Sequence, residues 1–148
     1  MNYFSPKSAA ERFANGRPFF HPVIIKRIEE FLSITEPLSS ALDVGCGTGL
    51  SAIALKELAQ NVIGVDASAE MIALAPKESG VGYFTAPAEN LPFEENRFDI
   101  ITLSQVFHWL DRDKFLTEAG RVLRPNGWLI VYDNYLRGRG VFFEPDLS

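Results

Sequence analysis

The chain has 148 residues, 47% of them hydrophobic and 22% charged, with a formal net charge of −5. That length suits a single compact domain with its own core, and the composition excludes disordered and collagen-like chains. The acidic balance argues against nucleic acid or an anionic membrane as a partner, because both select clustered Lys and Arg, and the lone Cys46 leaves no internal disulfide.

Residues 1 to 20 are aromatic-rich and irregular, with Tyr3, Phe4, Phe13, Phe19 and Phe20 around the break Asn15-Gly16-Arg17-Pro18. Pro22 then opens an amphipathic run to Leu32, whose apolar residues at 24, 28, 31 and 32 keep helical spacing. Ala41–Val44 reads as a short strand running into a glycine loop, and Leu50–Gln60 as a helix with Ile53, Ala54 and Leu58 on one face. Asn61–Asp66 is a buried strand ending on a carboxylate, followed by a helix over Ala69–Ala75 with Ser68 as its N-cap. Val81–Thr85 and Phe98–Leu103 are further strands, Lys114–Leu123 is a helix stopped by Arg124-Pro125-Asn126-Gly127, and Trp128–Asp133 is a fifth strand. No apolar run approaches the roughly 20 residues of a membrane span, and residues 1–7 lack a secretory pattern, so a cytoplasmic location is expected.

Strands alternating with helices predict an α/β fold. The expected architecture is a Rossmann-like, doubly wound, mainly parallel sheet of about five strands, with helices on both faces. Ligands of such sheets sit at the carboxyl ends of the strands, by a switch in strand order. The glycine loop, Asp66 and Ser104 all fall at such ends.

The loop Asp43-Val44-Gly45-Cys46-Gly47-Thr48-Gly49 follows a strand and opens a helix. Glycines there admit unusual backbone angles and let a ligand approach bare backbone, and the helix start offers free N–H groups. A dinucleotide fingerprint needs its last glycine where Leu50 stands, and a Walker loop needs a lysine that this loop lacks. Asp43 would repel a pyrophosphate but can accept from an ammonium group. Asp66, about 20 residues past the loop, stands where an acidic side chain takes the ribose hydroxyls of an adenosine. An amino-acid head on an adenosine tail satisfies both, and S-adenosylmethionine is such a ligand.

Leu42-Asp43-Val44-Gly45-Cys46-Gly47-Thr48-Gly49 resembles motif I of class I S-adenosylmethionine-dependent methyltransferases. Gly64 to Met71 resembles their second strand and turn, Ala88-Glu89-Asn90-Leu91-Pro92-Phe93 the loop bordering the adenine, and Arg121 to Leu129 the helix-turn before their fifth strand. Phe13 to Pro18 and Phe107-His108-Trp109-Leu110 are similar to the methyltransferase type 11 branch that includes trans-aconitate methyltransferase-like enzymes. The resemblance implies a single cofactor-binding domain over 1–148: a cofactor-covering segment and helix at 1–37, a Rossmann-like core at 38–133 and a tail at 134–148. It implies that Arg17 lies near the cofactor carboxylate and that Tyr3, Phe4 or Phe13 lies near the sulfonium. Cofactor contacts are further expected from Asp43, Gly45, Cys46, Gly47, Thr48, Gly49, Asp66, Ala67, Met71, Ala88, Glu89 and Ser104. Pro87 replaces an acidic residue common in the family, which leaves the Ala88 N–H for adenine, and Phe20 replaces a tyrosine.

Family members continue past the fifth strand with a substrate roof and two more strands, which this sequence lacks. A bare fifth-strand edge invites pairing with another chain, so a truncated product, a fragment or a homo-oligomer covering that edge is expected. Methyl transfer from a sulfonium is an in-line displacement in which the protein chiefly aligns the acceptor and excludes water. His108 is the base candidate for an acceptor that must lose a proton; a carboxylic acid acceptor needs none. His21 reads as structural and Cys46 as a small loop filler, and no His/Cys cluster has metal-ligand spacing. The expected function is methyl transfer to a small molecule, with S-adenosylhomocysteine as product. The alternatives are a cofactor-binding module without catalysis and a nicotinamide-dependent oxidoreductase.

Overall fold

Pro22 and the apolar spacing beyond it produce α1 (His21–Phe31), which buries His21, Ile24, Ile25 and Ile28. The helix stops at Ser33, held at φ 54° in the left-handed region, while the Ile34 amide closes onto the Glu29 carbonyl at 3.0 Å. The computed structural model describes residues 21–104, 110–135 and 138–144. Expectations for Tyr3, Phe4, Phe13, Arg17, His108 and Trp109 lie outside the described residues.

The chain continues through β1 (Leu38–Val44), α2 (Leu50–Ala54), a 3-10 turn (Leu55–Glu57), β2 (Ala59–Asp66), α3 (Ala69–Ala73), β3 (Val81–Thr85) and β4 (Phe98–Ser104). It ends with α4 (Arg112–Val122), β5 (Leu123–Tyr135) and β6 (Gly138–Glu144). The sheet order is β3-β2-β1-β4-β5-β6, with β1 to β5 parallel and β6 antiparallel to β5. Order reverses between β1 and β4, so crossovers run in opposite directions and the covering elements fall on opposite faces. One core joins Ile24, Ile25, Ile28, Leu55 and Leu58 to Ala41, Ile100 and Ile130. The other joins Phe115, Ala119 and Val122 to Leu42, Val65, Ile101 and Leu103.

Three expectations change. The helix over Leu50–Gln60 is cut short, because the Leu38 amide bonds the Leu58 carbonyl at 2.7 Å and Ala59 already pairs with Leu38. Sheet pairing there overrides a spacing that fits a helix. β5 begins by its first pairing, Leu123 with Phe98, but its regular ladder starts at Trp128 with Ile100, beyond Asn126 at φ 67°. The third change concerns the segment read as a tail from 134. It supplies β6, which runs from Tyr135↔Gly138 to Leu129↔Glu144, so the fifth-strand edge is paired within the chain and does not wait for a second copy. Among the described residues, no helix is long and apolar enough to cross a membrane.

Candidate functional site

The carboxyl ends of β1, β2 and β4 share one rim. The loop after β1 turns back on β2, with the Gly45 and Cys46 amides both on the Val65 carbonyl at 2.8 and 3.0 Å. Gly47 (φ 56°) and Gly49 (φ 92°) adopt left-handed angles that L side chains avoid. A Cβ on Gly49 would meet the Tyr83 hydroxyl at 2.6 Å, and one on Gly47 would meet the Met71 methyl at 3.3 Å. The turn is therefore bare by necessity. Met71 closes over it from α3, whose N-cap Ser68 accepts the Met71 amide.

Asp66, the last residue of β2, ties this turn together. One carboxylate oxygen accepts the Gly47 amide at 2.9 Å and the other accepts the Ser68 amide at 2.8 Å. The carboxylate keeps unused lone pairs for further donors. It also walls a cavity of about 190 Å³, lined among others by Val44, Gly45, Val65, Ala67, Ala86, Ala88 and Glu89. Ala88 is buried, and Glu89 accepts the Asp111 amide at 3.2 Å, fixing the start of α4. A larger depression of about 420 Å³ lies at the opposite, amino-terminal ends of the strands beside Ser39, Asn61 and Arg97. It lies away from the strand ends where ligands of such sheets sit, and Asp99 already takes the Ser39 and Ser40 amides there. The carboxyl-rim cavity is thus the candidate site.

Asp43 supports the loop from within the core. It is fully buried beneath the loop, where the Thr102 hydroxyl donates to it at 2.9 Å and the Ser51 hydroxyl donates to its other oxygen. It does not line the cavity. Burial pushes its pKa up to about 7, against the two hydroxyl donors, and the Asp66 charge adds to the rise. Strand alternation explains the outcome: Asp43 shares the Ala41 side of β1, while Val44 faces the cavity. Ser104 ends β4 in register with Tyr132. Thr48 is half-buried in the turn. Cys46 is buried, and desolvation followed by the Asp43 and Asp66 charges raises its thiol pKa, so the helix start does not activate it.

Two sets of residues escaped the sequence reading. Arg121 donates to the Phe93 carbonyl at 2.6 Å and the Leu91 carbonyl at 2.9 Å, while its partner Glu118 accepts the Leu91 amide at 3.0 Å. Together they staple the loop that borders the cavity onto α4. Their i,i+3 spacing was the only signal available. The second set, His21 with Tyr132, is separated by 111 positions and gave none. Among the described residues, no group of three His, Cys, Asp or Glu is placed to hold a metal.

Residues 42–131 match the family described as a methyltransferase domain. An uncharacterized methyltransferase of Bacillus subtilis, YcgJ, is 39% identical over 101 residues, covering 64% of this chain and 40% of the relative. Its crystal structure superposes with a TM-score of 0.66 over 78% of this chain and 50% of that one, at 32% identity. A demethylmenaquinone methyltransferase of Thermotoga maritima is 36% identical over 112 residues, covering 73% of this chain and 48% of the relative. The chain spans about half the length of the curated relatives it matches.

Proposed function

Because the chain belongs to the methyltransferase domain family, whose class I members use S-adenosylmethionine, we propose that it binds this cofactor at the carboxyl rim and donates its methyl group to a small molecule. The observation that carries the proposal is Asp66, which holds the Gly47 amide with one oxygen while walling a largely apolar cavity of about 190 Å³. The chemistry fits the group: bare backbone at Gly45–Gly49, a carboxylate with spare lone pairs for ribose hydroxyls, and apolar surface from Val44, Val65 and Ala86 for a flat ring. In this reading Asp66 accepts the ribose hydroxyls, the Ala88 N–H and Glu89 border the base, and Ala67 and Met71 flank the ribose. Gly45, Gly47, Thr48 and Gly49 lie along the amino-acid half. Asp43 holds the loop from below, with Cys46 filling space beside it. Arg17, Tyr3 and Phe13 belong to the amino-acid and sulfonium end.

The cofactor brings a methyl group already activated as a sulfonium. What remains for the protein is to hold the acceptor in line and keep water out. An acceptor that must lose a proton needs a base, and His108 takes that role in this proposal. A small carboxylic acid, already ionised, needs none. A cytoplasmic location belongs to the same proposal. The nicotinamide alternative finds no support in the comparisons or in the loop, where Gly49 falls one position early.

Calorimetric titration with S-adenosylhomocysteine and with NAD tests the binding half: micromolar binding of the first and none of the second is expected, and the reverse overturns it. Labelled methyl transfer to a panel of small acids and amines tests the rest. Cofactor binding without transfer to any of them replaces the enzyme reading by a binding module.

A further inference from the structure

We infer that β3 is a self-association edge, at which two copies of this chain pair antiparallel about a two-fold axis through Tyr83. β3 ends the sheet order and is bonded on one side only, to β2. Its sequence, Val81-Gly82-Tyr83-Phe84-Thr85, carries no charge and no proline, the residues that usually keep an open edge from pairing. None of the five lines the cofactor cavity, so the pairing does not depend on the cofactor.

The backbone register sets the axis. The Val62 amide bonds the Gly80 carbonyl at 2.8 Å and the Ala86 amide bonds the Asp66 carbonyl at 3.0 Å, with Val62 paired to Val81 and Asp66 to Thr85. Gly82 and Phe84 therefore turn their backbone groups to β2, while Val81, Tyr83 and Thr85 turn theirs outward. The Val81 amide closes on the Glu78 carbonyl at 3.1 Å. The Val81 carbonyl and both groups of Tyr83 and Thr85 have no backbone partner among the described residues. In an antiparallel pair centred on Tyr83, the two Tyr83 residues exchange both bonds, and each Thr85 amide meets the Val81 carbonyl of the other copy.

The side chains fit the same axis. It sets Gly82 opposite Phe84 of the other copy in a non-bonded pair, where side chains approach closely. A Cβ on Gly82 would meet nothing within 4 Å, and Phe84 is 47% exposed although it stands edge-on to Phe93 at 5.6 Å. One strand thus supplies both an aromatic ring and the open glycine that such a ring shields across a strand pair. Charge agrees with the antiparallel sense. Lys56 lies beside Gly80, and Arg97 lines the depression by Gly80 and Gly82, where the neighbouring Lys77 and Glu78 offset each other; Asp66 and Glu89 stand at the other end of the strand. Antiparallel pairing turns the basic end of one copy toward the acidic end of the other. Five residues a side fall well short of the roughly 20–30 of a stable interface, so the association is weak and reversible.

Sedimentation equilibrium of the full chain tests the pairing. The weight-average mass of wild type is expected to climb from one chain toward two as concentration rises to about 500 μM. Thr85→Pro removes an outward amide without touching the β2 ladder and should weaken dimerisation about ten-fold, with far-UV circular dichroism verifying the fold. Phe84→Lys, which replaces the ring over Gly82 by a charge, should do the same and carries the test if Thr85→Pro does not fold. The register is read by mixing Gly82→Cys and Phe84→Cys chains under mild oxidant: the mixture should cross-link faster than either variant alone. A single-chain mass throughout, dimerisation equally tight in folded Thr85→Pro and Phe84→Lys, or equal cross-linking in all three samples overturns the inference. So does a single-chain species whose Tyr83 and Thr85 amides resist hydrogen exchange, since the edge is then covered within one chain.

Discussion

Asp66 and Gly47 are joined across 19 positions by a 2.9 Å hydrogen bond, so the strand end and the turn it faces hold one geometry before any ligand arrives. This preorganises the cavity wall: a ligand hydroxyl meets a carboxylate whose orientation is already set. Asp66→Ala is expected to weaken S-adenosylhomocysteine binding by about 1–3 kcal/mol, the cost of leaving polar partners unmet. Calorimetric titration reads it, and wild-type affinity in the variant removes Asp66 from the site.

Gly49→Ala tests the bare turn. The residue sits at φ 92°, and a methyl there would approach the Tyr83 hydroxyl at 2.6 Å. We expect a stability loss of about 1–3 kcal/mol from backbone strain and overlap together. Adding Tyr83→Phe removes the nearest atom and should restore part of it. Urea unfolding measures both; equal stability of Gly49→Ala and wild type would contradict the strain.

Asp43 sets a pH dependence. Its folded pKa of about 7 lies above the ordinary 3.8, so between these values the folded chain holds a proton that the unfolded chain has released. Stability from this group is therefore complete below about pH 4 and lost as pH rises through 7. Asp43→Asn, which cannot ionise, should flatten that slope, an effect on the order of 2–4 kcal/mol between pH 4 and 8. Denaturant unfolding across that range checks it, and parallel slopes for the two proteins would refute it.

His21 works in the opposite sense. Burial lowers its pKa from 6.5 to about 4, so its contribution is present above 6.5 and fades as pH falls toward 4. His21→Gln should remove that acid-side loss while keeping an acceptor for Tyr132. Melting temperatures between pH 4 and 7 are expected to lie close to wild type near neutrality and to exceed it toward the acid end; parallel curves for the two proteins would refute it.

Arg121→Met removes the staple on the loop at 91–93. With the Leu91 and Phe93 carbonyls and Glu118 left without their partner, we expect about 1–2 kcal/mol of destabilisation. Hydrogen exchange should quicken at the Leu91 amide, which Glu118 holds at 3.0 Å. Unchanged exchange there would show that the loop is held by its apolar contacts alone.

The parallel order and the site at the carboxyl rim were legible because strand, glycine turn and helix follow one another with little punctuation between them. Asp66 was legible for the same reason: it ends a strand next to the turn. Asp43 was legible as a strand-end carboxylate, but its partners Ser51 and Thr102 lie 8 and 59 positions away, and local spacing cannot find the second. The short α2 was missed because Ile53, Ala54 and Leu58 fit a helix and an interrupted helix equally well. β6 was missed because Gly138-Arg139-Gly140 reads as loop, and only pairing with β5 makes it a strand.

The pairing of β1 with β4, and of His21 with Tyr132 across nearly the whole described chain, has a kinetic consequence. During synthesis β1 has only β2 beside it until the residues of β4 emerge, and the His21–Tyr132 contact forms only once β5 follows. Closure is therefore a late, long-range event, of the kind that slows folding and leaves apolar surface open to association on the way.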